Sequence, residues 1–356
     1  MAKGKRAMNV GIVGLGHLHP RAYMTLFNAV AATEVVAVTD ENDALRESFC
    51  KDFGVRGYAS LDAMLKQEPL DIAAIFLPHC DCPAAAVKCA KRGIHLMVEK
   101  PVAADAKGAL HIARAADQAR VKFTTGYCWR FHPVARELRR LVQAGAVGSV
   151  VGAEGRCAAG GVQRYVRGNS AWMLEKARSG GGPIYNLGVH WIDLFRWILD
   201  DEAIEVSGQN VKVNSRYDIE DNSFAHVRFS KGAILALDIS YTVPDAYPHG
   251  RDLYVSVRGT KGVISWAPAF EGEKDVLNIC SDAPEFGGSP LRTQEFELAP
   301  TPGYAGYMGL EYVRNFADAI IKGARPAITG DDAVAALKVV EAVYKSADEK
   351  RWCKVG

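Results

Sequence analysis

The sequence lacks an excess of charge of either sign, and it lacks long apolar runs. Its 43 lysine and arginine residues nearly balance 41 aspartate and glutamate residues, which leaves a net charge of +2. No basic stripe with interleaved aromatic residues occurs, so we expect no nucleic-acid partner. No uncharged apolar stretch is long enough to span a bilayer, and the basic start at residues 1–9 has no apolar signal region. We therefore expect a cytoplasmic protein without a membrane partner.

Cysteine is sparse, with eight residues in a chain of 356. Because the sequence shows no secretory signal, reduced thiols explain these cysteines better than a disulfide framework does. The one cluster, Cys80-Asp81-Cys82 beside His79, separates its cysteines by a single residue. That spacing matches none of the usual zinc patterns, and we predict no metal site.

The first third of the chain alternates short apolar runs with helical segments. Parallel strands that are covered on both faces have this pattern, which predicts a doubly wound α/β sheet with its ligand crevice at the carboxyl ends of the strands. From residue 129 onward strand patterns dominate, so we divide the chain into domains at residues 1–128 and 129–356. The five strands predicted in the first domain are Asn9–Val13, Glu34–Thr39, Asp71–Leu77, Ile94–Pro101 and Val121–Gly126.

The second domain shows hairpins and then helices. Phe224–Phe229 and Ala233–Val243 alternate around a turn at residues 230–232, and the second run places Tyr241 on its apolar face. Leu253–Val257 and Gly262–Trp266 predict another hairpin, and two helices end the chain. A sheet with one apolar face needs a cover, either helices or a second subunit.

The first strand opens onto a glycine turn and then a helix, the arrangement of a dinucleotide site. Gly14 would allow the tight turn, and Gly16 would let a pyrophosphate approach backbone N–H groups at the helix start. His19 replaces the third glycine, so the fingerprint is degenerate. The candidate cofactor contacts in this turn are Gly14, Leu15, Gly16, His17, Leu18 and His19.

The second strand ends in Asp40, where a carboxylate can accept hydrogen bonds from a ribose 2′-hydroxyl. Together with Glu41 it would repel a 2′-phosphate, and we expect no nearby arginine to offset these charges. The first domain is therefore predicted to bind NAD in preference to NADP.

The fourth strand ends in Glu99-Lys100-Pro101. At the carboxyl edge of the sheet Lys100 would face the ligand crevice. A Lys-Pro pair also occurs at solvated strand ends that lead into a turn, and the spacing alone leaves both interpretations open.

A glycine-rich loop at residues 179–183 leads into a helix with two stripes. Leu187, Trp191, Leu194 and Ile198 form an apolar stripe. A second stripe, which suits either a cleft wall or a partly exposed face with an incidental histidine, consists of Asn186, His190, Asp193 and Trp197.

These motifs together resemble the Gfo/Idh/MocA oxidoreductases, the group of glucose–fructose oxidoreductase and inositol dehydrogenase. The resemblance extends from end to end. It implies an N-terminal Rossmann domain, a C-terminal α+β domain with a large open sheet, a nicotinamide cofactor between them, and a sugar or polyol substrate. It also implies a homodimer or homotetramer that assembles through the C-terminal sheet. The motifs that carry it are Gly14-Leu-Gly16, Pro78, Glu99-Lys100-Pro101, Arg130-Phe131-His132-Pro133 and Gly180-Gly-Gly with Asn186-Leu-Gly-Val-His190.

The resemblance also implies roles for individual residues. Lys100 falls on the catalytic lysine, His190 on the catalytic histidine, and Asn186 on a position that is usually aspartate. Leu77 and Cys82 replace a usual threonine and a usual histidine in the loop after the third strand, which makes the cofactor contacts of that loop uncertain. The further cofactor contacts expected are Leu77, Pro78, His79, Glu99, Lys100 and Arg130.

The chemistry does not require the missing aspartate. An alcohol that loses hydride to a nicotinamide must also lose its hydroxyl proton, and the ordinary imidazole pKa of about 6.5 suits His190 as the acceptor. Lys100 would either stabilise the developing alkoxide or, with its pKa lowered by burial, share the base role. Besides these residues and Asn186, the side chains expected to face the substrate are Tyr127, Arg164, Tyr165, Arg167, Trp172 and His249. We also expect a cis peptide bond at Lys100-Pro101.

Two alternatives remain. Some relatives cleave glycosides by transient oxidation with bound NAD. A regulator that resembles the galactose-pathway repressor would keep the dinucleotide pocket without the chemistry. Only Asn186 supports a regulator, and the presence of both Lys100 and His190 opposes it.

Overall fold

The computed structural model describes residues 6–244, 246–269 and 273–356, so the first five residues of the basic start lie outside it. Within these ranges, no helix combines the length and the apolar character that crossing a membrane requires.

The first layer of the fold is a six-stranded parallel sheet in the order β3-β2-β1-β4-β5-β6. Helices connect consecutive strands, so the predicted doubly wound sheet is confirmed. Its elements are β1 (Met8–Val13), α1 (Pro20–Ala29), β2 (Thr33–Thr39), α2 (Asp43–Phe53), β3 (Arg56–Tyr58), α3 (Leu61–Gln67), β4 (Ile72–Ile75), α4 (Cys82–Ala90), β5 (His95–Val98), α5 (Ala106–Ala119) and β6 (Phe123–Thr125).

The sequence predicted five strands here, and β3 is the one it missed. This strand has three residues, of which Arg56 and Gly57 are exposed, so it carries no apolar run. It pairs with the end of β2 at the edge of the sheet. Arg56 is held there by hydrogen bonds from its guanidinium to Glu68, a contact between residues 12 positions apart.

The strand order reverses between β1 and β4, and such a switch point opens a crevice at the carboxyl ends of the strands. Four predicted site residues lie at this edge, each just after the end of a strand. They are Gly14, Asp40, Leu77 and Lys100.

The second layer is a nine-stranded sheet in the order β14-β13-β12-β11-β7-β10-β9-β8-β15. Among the described residues of this sheet, only β7 and β10 pair in parallel, so the sheet is mainly antiparallel. Its elements are α6 (Pro133–Gln143), β7 (Val150–Ala159), α7 (Gln163–Arg167), α8 (Lys176–Ser179), α9 (Val189–Leu199), β8 (Ala203–Val211), β9 (Asn222–Phe229), β10 (Ile234–Ser240), β11 (Arg251–Gly259), β12 (Gly262–Trp266), β13 (Lys274–Ser281), β14 (Leu291–Glu297), α10 (Gly306–Lys322), α11 (Gly330–Glu349) and β15 (Cys353–Lys354).

Both predicted hairpins are present. β9 pairs with β10 and β11 pairs with β12, each in antiparallel register. The alternate residues Leu235, Leu237 and Ile239 of β10 are buried beneath the helices of the domain. The α/β architecture with a second, mainly antiparallel sheet therefore agrees with the expectation, whereas the boundary after residue 128 stays a prediction.

The helix that carries His190 differs from its predicted two-stripe form. A π-helical turn at Ile184–Gly188 precedes α9, and nearly every residue of α9 is buried. Asp193 and Trp197 do not line a cleft. Asp193 forms an ion pair with Arg130, and the Arg139 guanidinium lies over the ring of Trp197. The cleft-wall interpretation therefore applies only to Asn186 and His190.

Candidate active site

A cavity of about 740 Å³ lies between the two layers. It is lined by residues of the glycine turn, the end of β5, the π-helical turn, the first turn of α9 and the inner face of the second sheet. Among the predicted site residues, the structure places here His17, Leu18, His19, Lys100, Arg164, Tyr165, Asn186, His190 and His249.

Lys100 is buried at the end of β5, with 3% of its surface exposed. Its ammonium donates to the side-chain oxygen of Asn186 at 2.8 Å and to the backbone oxygen of Asn186 at 3.0 Å. This placement excludes the interpretation that Lys100 lies at a solvated strand end. Burial is the main cause that lowers the pKa of Lys100; Arg164 also lowers it, and Glu99 opposes the shift. The expected cis peptide bond at Lys100-Pro101 is present.

Asn186 joins Lys100 to two tyrosines. Its amide nitrogen donates to the hydroxyl oxygens of Tyr165 at 2.6 Å and Tyr241 at 3.0 Å. An aspartate could only accept at this position, so both tyrosines would have to donate to it. Asparagine reverses these two hydrogen bonds and leaves the tyrosine protons to other acceptors.

His190 lies one residue into α9 and is buried, with 8% of its surface exposed. Its Nδ1 is enclosed without a hydrogen-bond partner among the described residues, which leaves Nε2 as the nitrogen toward the cavity. Burial, followed by the charges of Lys100 and His19, lowers the pKa of His190 well below its ordinary value. The imidazole is therefore neutral at neutral pH.

The glycine turn has the backbone that a dinucleotide site needs. Gly14 has φ +89°, and a Cβ there would lie 3.1 Å from the backbone nitrogen of Leu77. Asp40 fixes the turn, because its Oδ2 accepts the N–H of Leu15 at 2.6 Å. Its Oδ1 accepts the N–H of Asn42 at 2.8 Å. These features fit a nucleotide cofactor whose pyrophosphate lies against the turn.

The expectation that no arginine lies near Asp40 is wrong. The Arg46 guanidinium donates to the backbone oxygen of Asp40 at 2.7 Å and to the carboxylate of Asp43 at 2.5 Å. Arg46 is six residues beyond Asp40, in the second turn of α2, where the helix brings it back over the strand end.

Trp172 contacts the cofactor side of the site and does not line the cavity. Its indole N–H donates to the carbonyl of Gly16 at 2.7 Å, and its ring meets His79 edge-on at 4.9 Å. His79 is fixed by a 2.7 Å hydrogen bond between its Nδ1 and the Ser179 carbonyl, and burial lowers the pKa of His79 to about 4. Trp172, predicted to face the substrate, is thus part of the wall around the glycine turn.

His17, His19 and Glu99 bring their side-chain nitrogens and oxygens within 4.8 Å of one another. Nδ1 of His17 accepts the backbone N–H of His19 at 3.2 Å, so the neutral ring carries its proton on Nε2. A protonated Nε2 is a hydrogen-bond donor and not a metal ligand. Oε2 of Glu99 lies 3.4 Å from Nδ1 of His19, and neither atom has a hydrogen-bond partner among the described residues.

Arg130, expected to contact the cofactor, does not line the cavity. Its guanidinium pairs with Asp193 of α9 at 2.5 and 2.8 Å and with Asp332 of α11 at 2.8 Å. A further bond to the carbonyl of Ala327 uses its remaining terminal nitrogen. Burial raises the pKa of Asp193 to about 6 against the effect of Arg130. Arg130 thus fixes α9 to the start of α11, and its contact with the cofactor stays a prediction.

Two other expectations change in the structure. Tyr127 is buried behind His190, with ring centroids 6.1 Å apart, and does not line the cavity. Arg167 is exposed outside the cavity. Cys82, which replaces a usual histidine, is buried, and its thiol donates to the Leu77 carbonyl at 3.4 Å.

Several residues of the site were missed by the sequence interpretation. Tyr241 follows β10, and the alternation placed it on the apolar face without indicating that its hydroxyl would reach Asn186. Arg251 and Tyr304 line the cavity, and neither has a local motif. The rings of Tyr304 and His19 meet in a tilted arrangement with centroids 4.0 Å apart, a contact across 285 positions of sequence.

Comparison with protein families gives two matches that together cover most of the chain. Residues 8–127 match a model described as an oxidoreductase family with an NAD-binding Rossmann fold. Residues 135–265 match the GFO/IDH/MocA C-terminal domain.

Among characterised proteins, the chain is similar to scyllo-inositol 2-dehydrogenase (NAD(+)) of Bacillus subtilis, with 23% identity over 92% of this chain and 90% of that protein. It is 26% identical to a putative UDP-kanosamine synthase oxidoreductase subunit of Amycolatopsis mediterranei, over 97% of both chains. The fold is shared with the aldose-aldose oxidoreductase of Caulobacter crescentus (TM-score 0.81, 23% identity, 98% and 100% coverage). It is also shared with the WlbA dehydrogenase of Bordetella pertussis, solved with NADH and UDP-GlcNAcA (TM-score 0.81, 19% identity, 99% coverage of both chains).

Proposed function

This chain belongs to the GFO/IDH/MocA family of NAD-binding oxidoreductases, and from that premise we propose that it transfers a hydride between NAD and a secondary alcohol or ketone carbon of a sugar, inositol or sugar derivative. The observation that carries the proposal is the convergence of Lys100, Asn186 and His190 on one cavity beside the glycine turn. Relatives named as inositol and D-xylose dehydrogenases support the substrate class.

The residues that would hold the dinucleotide lie at the carboxyl edge of the first sheet. Backbone N–H groups after Gly14 would bind the pyrophosphate, and the Asp40 carboxylate would accept the adenosine ribose hydroxyls, since each of its oxygens has a second lone pair. When bound, the nicotinamide accepts or returns the hydride. Trp172 and His79 form the wall that encloses this part of the site.

His190 would accept the hydroxyl proton of the substrate at Nε2. The lowered pKa of His190 keeps this nitrogen unprotonated at neutral pH, as a general base requires. Its enclosed Nδ1 would carry the ring proton in the neutral state.

Lys100 would stabilise the negative charge that develops on the substrate oxygen. An ammonium has three protons, and the two hydrogen bonds to Asn186 leave one for the substrate. In a water-poor cavity such a charge-assisted bond is worth more than in solution. Burial also lowers the pKa of Lys100, which would let Lys100 share the base role, and pH profiles of variants at Lys100 and His190 separate the two assignments.

The proposed reaction can be tested by measuring the absorbance of reduced nicotinamide across a panel of sugars, inositols and sugar acids. NAD and NADP are supplied in parallel. We expect at least one compound to reduce NAD, and we expect Lys100→Met to abolish that signal while NADH still binds. NADH binding without turnover of any compound would favour the regulator. Retention of tightly bound NAD with release of a substituent from a glycoside would favour the glycoside-cleaving alternative.

We also propose that a second copy of this chain covers the outer face of the nine-stranded sheet. Phe224 of β9 and Ile234 of β10 project from that face with 43% and 39% of their surface exposed. Phe224 lines a groove of about 450 Å³ together with Ala236, which lies two residues after Ile234 on β10. Sedimentation equilibrium should give a dimer or tetramer for the wild type and a smaller species for Phe224→Glu.

A further inference from the structure

The cavity has an apolar end that the proposed hydride transfer does not use. We define this apolar end by Trp129, Leu253 and Ala269, which line the cavity and are only partly buried. They come from the segment after β6, from β11 and from the loop after β12, so three separate parts of the chain meet there. Apolar surface that several elements hold open toward one cavity is typical of a ligand site.

Trp191 connects Trp129 to β11. The rings of Trp129 and Trp191 meet edge-on with centroids 5.0 Å apart, and the Trp191 indole N–H donates to the carbonyl of Tyr254, next to Leu253, at 3.2 Å. Trp266 of β12 also meets Trp129 edge-on, with centroids 5.8 Å apart. These contacts fix Trp129 over β11 and β12, while its uncovered part lines the cavity.

The polar groups around the apolar end are already hydrogen-bonded within the protein. Nδ1 of His132 accepts the N–H of Val134 at 3.2 Å, and its Nε2 lies 3.4 Å from Oδ2 of Asp275. Oδ1 of Asp275 accepts the indole N–H of Trp266 at 2.6 Å and the backbone N–H of Ala269 at 2.8 Å. Because these groups have partners, the surface beside them suits an apolar group better than the hydroxyl groups of a second sugar.

The apolar end lies beside the proposed reacting centre. Trp191 directly follows His190 in α9, and Tyr127, two residues before Trp129, contacts the ring of His190 with centroids 6.1 Å apart. The glycine turn belongs to the first sheet, whereas β11 and β12 belong to the second. A ring held at His190 can therefore place a substituent on Trp129, on the side of the cavity that the second sheet forms.

The cavity is also larger than a simple sugar requires. A hexose displaces roughly 180 Å³ of water, and a nicotinamide with its ribose displaces roughly 220 Å³, at about 30 Å³ per water molecule. Together they leave roughly half of the 740 Å³ cavity unfilled. This remainder is enough for a substituent about as large as the sugar ring itself.

We propose that the substrate is a polyhydroxy ring that carries an aromatic group, as an aryl glycoside does. Its reacting hydroxyl lies at Lys100 and His190, and its aromatic group lies on the ring of Trp129. This inference rests on the proposed dehydrogenase function and specifies its substrate class. Pairs of aromatic rings attract each other beyond the effect of buried area, and the water released from Trp129 and Leu253 favours binding further.

The test compares matched glycosides with the full-length protein at saturating NAD. Methyl and phenyl glycosides of glucose and of galactose, in both anomeric forms, differ within each pair only in the group at the anomeric oxygen. We expect at least one phenyl glycoside to exceed its methyl partner in kcat/KM by about tenfold to a hundredfold. Chromatography of the same reactions for phenol distinguishes cleavage of the glycosidic bond from oxidation of the ring.

Two variants of Trp129 separate aromatic recognition from bulk. Trp129→Leu keeps an apolar side chain without a flat ring and should bring the ratio of kcat/KM for phenyl to methyl glycoside within about threefold of one, whereas Trp129→Phe should retain most of that ratio. Trp352→Leu is the matched control, because Trp352 is also partly buried but lies outside the cavity, beneath the guanidinium of Arg228. Affinity for NADH, measured by fluorescence, should be unchanged in all three variants.

The outcomes are distinct. Equal kcat/KM within every pair, or a ratio that Trp129→Leu leaves unchanged, would overturn the aromatic substrate. A loss of NADH affinity in Trp129→Leu would assign Trp129 to the cofactor and would also overturn it.

The same measurements separate this inference from the dehydrogenase proposal. If no compound is oxidised but the phenyl glycosides raise the melting temperature of the wild type and not of Trp129→Leu, the aromatic site stands and the dehydrogenase proposal fails. If free sugars or inositols are oxidised while the phenyl glycosides neither react nor raise the melting temperature, the dehydrogenase proposal stands and the aromatic substrate is excluded.

Discussion

The ammonium of Lys100 lies 2.8 Å from the amide oxygen of Asn186, a neutral partner for a buried cation. Asn186→Asp would place a carboxylate at this contact, where it stabilises the protonated form of neighbouring bases. We expect the inflection in the pH profile of kcat/KM to move to higher pH in Asn186→Asp. It should stay in place in Asn186→Ala. An unchanged profile in Asn186→Asp would show that the base does not sense this position.

Lys100 and His190 should be needed for chemistry more than for binding. His190→Ala and Lys100→Ala should each lower kcat by about a hundredfold to ten-thousandfold, the range of general acid–base groups, with little change in NADH affinity. His111→Gln, an exposed change on α5, is the control. Full activity of His190→Ala with every productive compound would leave Lys100 as the sole base.

The pH dependence distinguishes the two bases. The sequence alone suggested an inflection near the ordinary imidazole value, but burial lowers the pKa of His190 well below it. If His190 is the base, kcat/KM rises with pH below 6.5 and is already level at neutral pH. That inflection should vanish in His190→Ala. A rise that continues through alkaline pH would assign the titration to Lys100 instead.

We expect the Asp40 carboxylate and the Arg46 guanidinium together to set the choice between NAD and NADP. Asp40→Ser removes the charge that repels a 2′-phosphate and leaves Arg46 beside it, so the ratio of kcat/KM for NADP to that for NAD should rise about tenfold or more. The double variant Asp40→Ser with Arg46→Met should lose this gain. Comparable efficiency with NADP in the wild type would contradict the role of Asp40.

Buried neutral histidines should make the fold sensitive to acid. The pKa of His79 falls from about 6.5 in the unfolded chain to about 4 in the folded one, so the unfolded state binds more protons between these values. The contribution of His79 to the free energy of unfolding is therefore fully present above pH 6.5. As the pH falls through the folded value, about 3 kcal/mol of it is lost. His17, His19 and His190 act in the same direction.

Urea unfolding between pH 7.5 and pH 4.5 measures this effect as the slope of unfolding free energy against pH. His79→Gln should reduce the slope by about 1.4 kcal/mol per pH unit, which corresponds to about one proton fewer taken up on unfolding. His111→Gln should leave the slope unchanged, because His111 is exposed. Equal slopes in the wild type and His79→Gln would disprove the contribution of His79.

The parts of the site that depend on local spacing were predictable. Gly14, Lys100 and His190 each follow or begin a regular element, so the sequence pattern places them at the sheet edge or at the helix start. The strand β3 was not predictable, because three largely exposed residues show no apolar run. Arg46 was missed for a different reason: a helical turn returns it to Asp40, six positions away.

Contacts between distant parts of the chain could not be predicted from the sequence pattern. Arg130 belongs to a motif of the family, yet Asp193 and Asp332, which fix its direction, lie 63 and 202 positions away. Trp172 reaches Gly16 across 156 positions, and Tyr241 reaches Asn186 across 55. A resemblance identifies such residues as important, but only the packing of the two layers shows which way their side chains point.

Helix α11 packs against α5 of the first layer and also against β8 of the second. Glu341 of α11 accepts the N–H of Ala106 at the start of α5 at 2.7 Å, and a Cβ on Gly330 would lie 2.5 Å from the ring of Phe123. The first sheet is thus synthesised early but acquires this cover only after α11 has been synthesised. Until then α5 and β6 lack this cover, so we expect premature termination before α11 to give a product prone to aggregation rather than a shorter dinucleotide-binding protein.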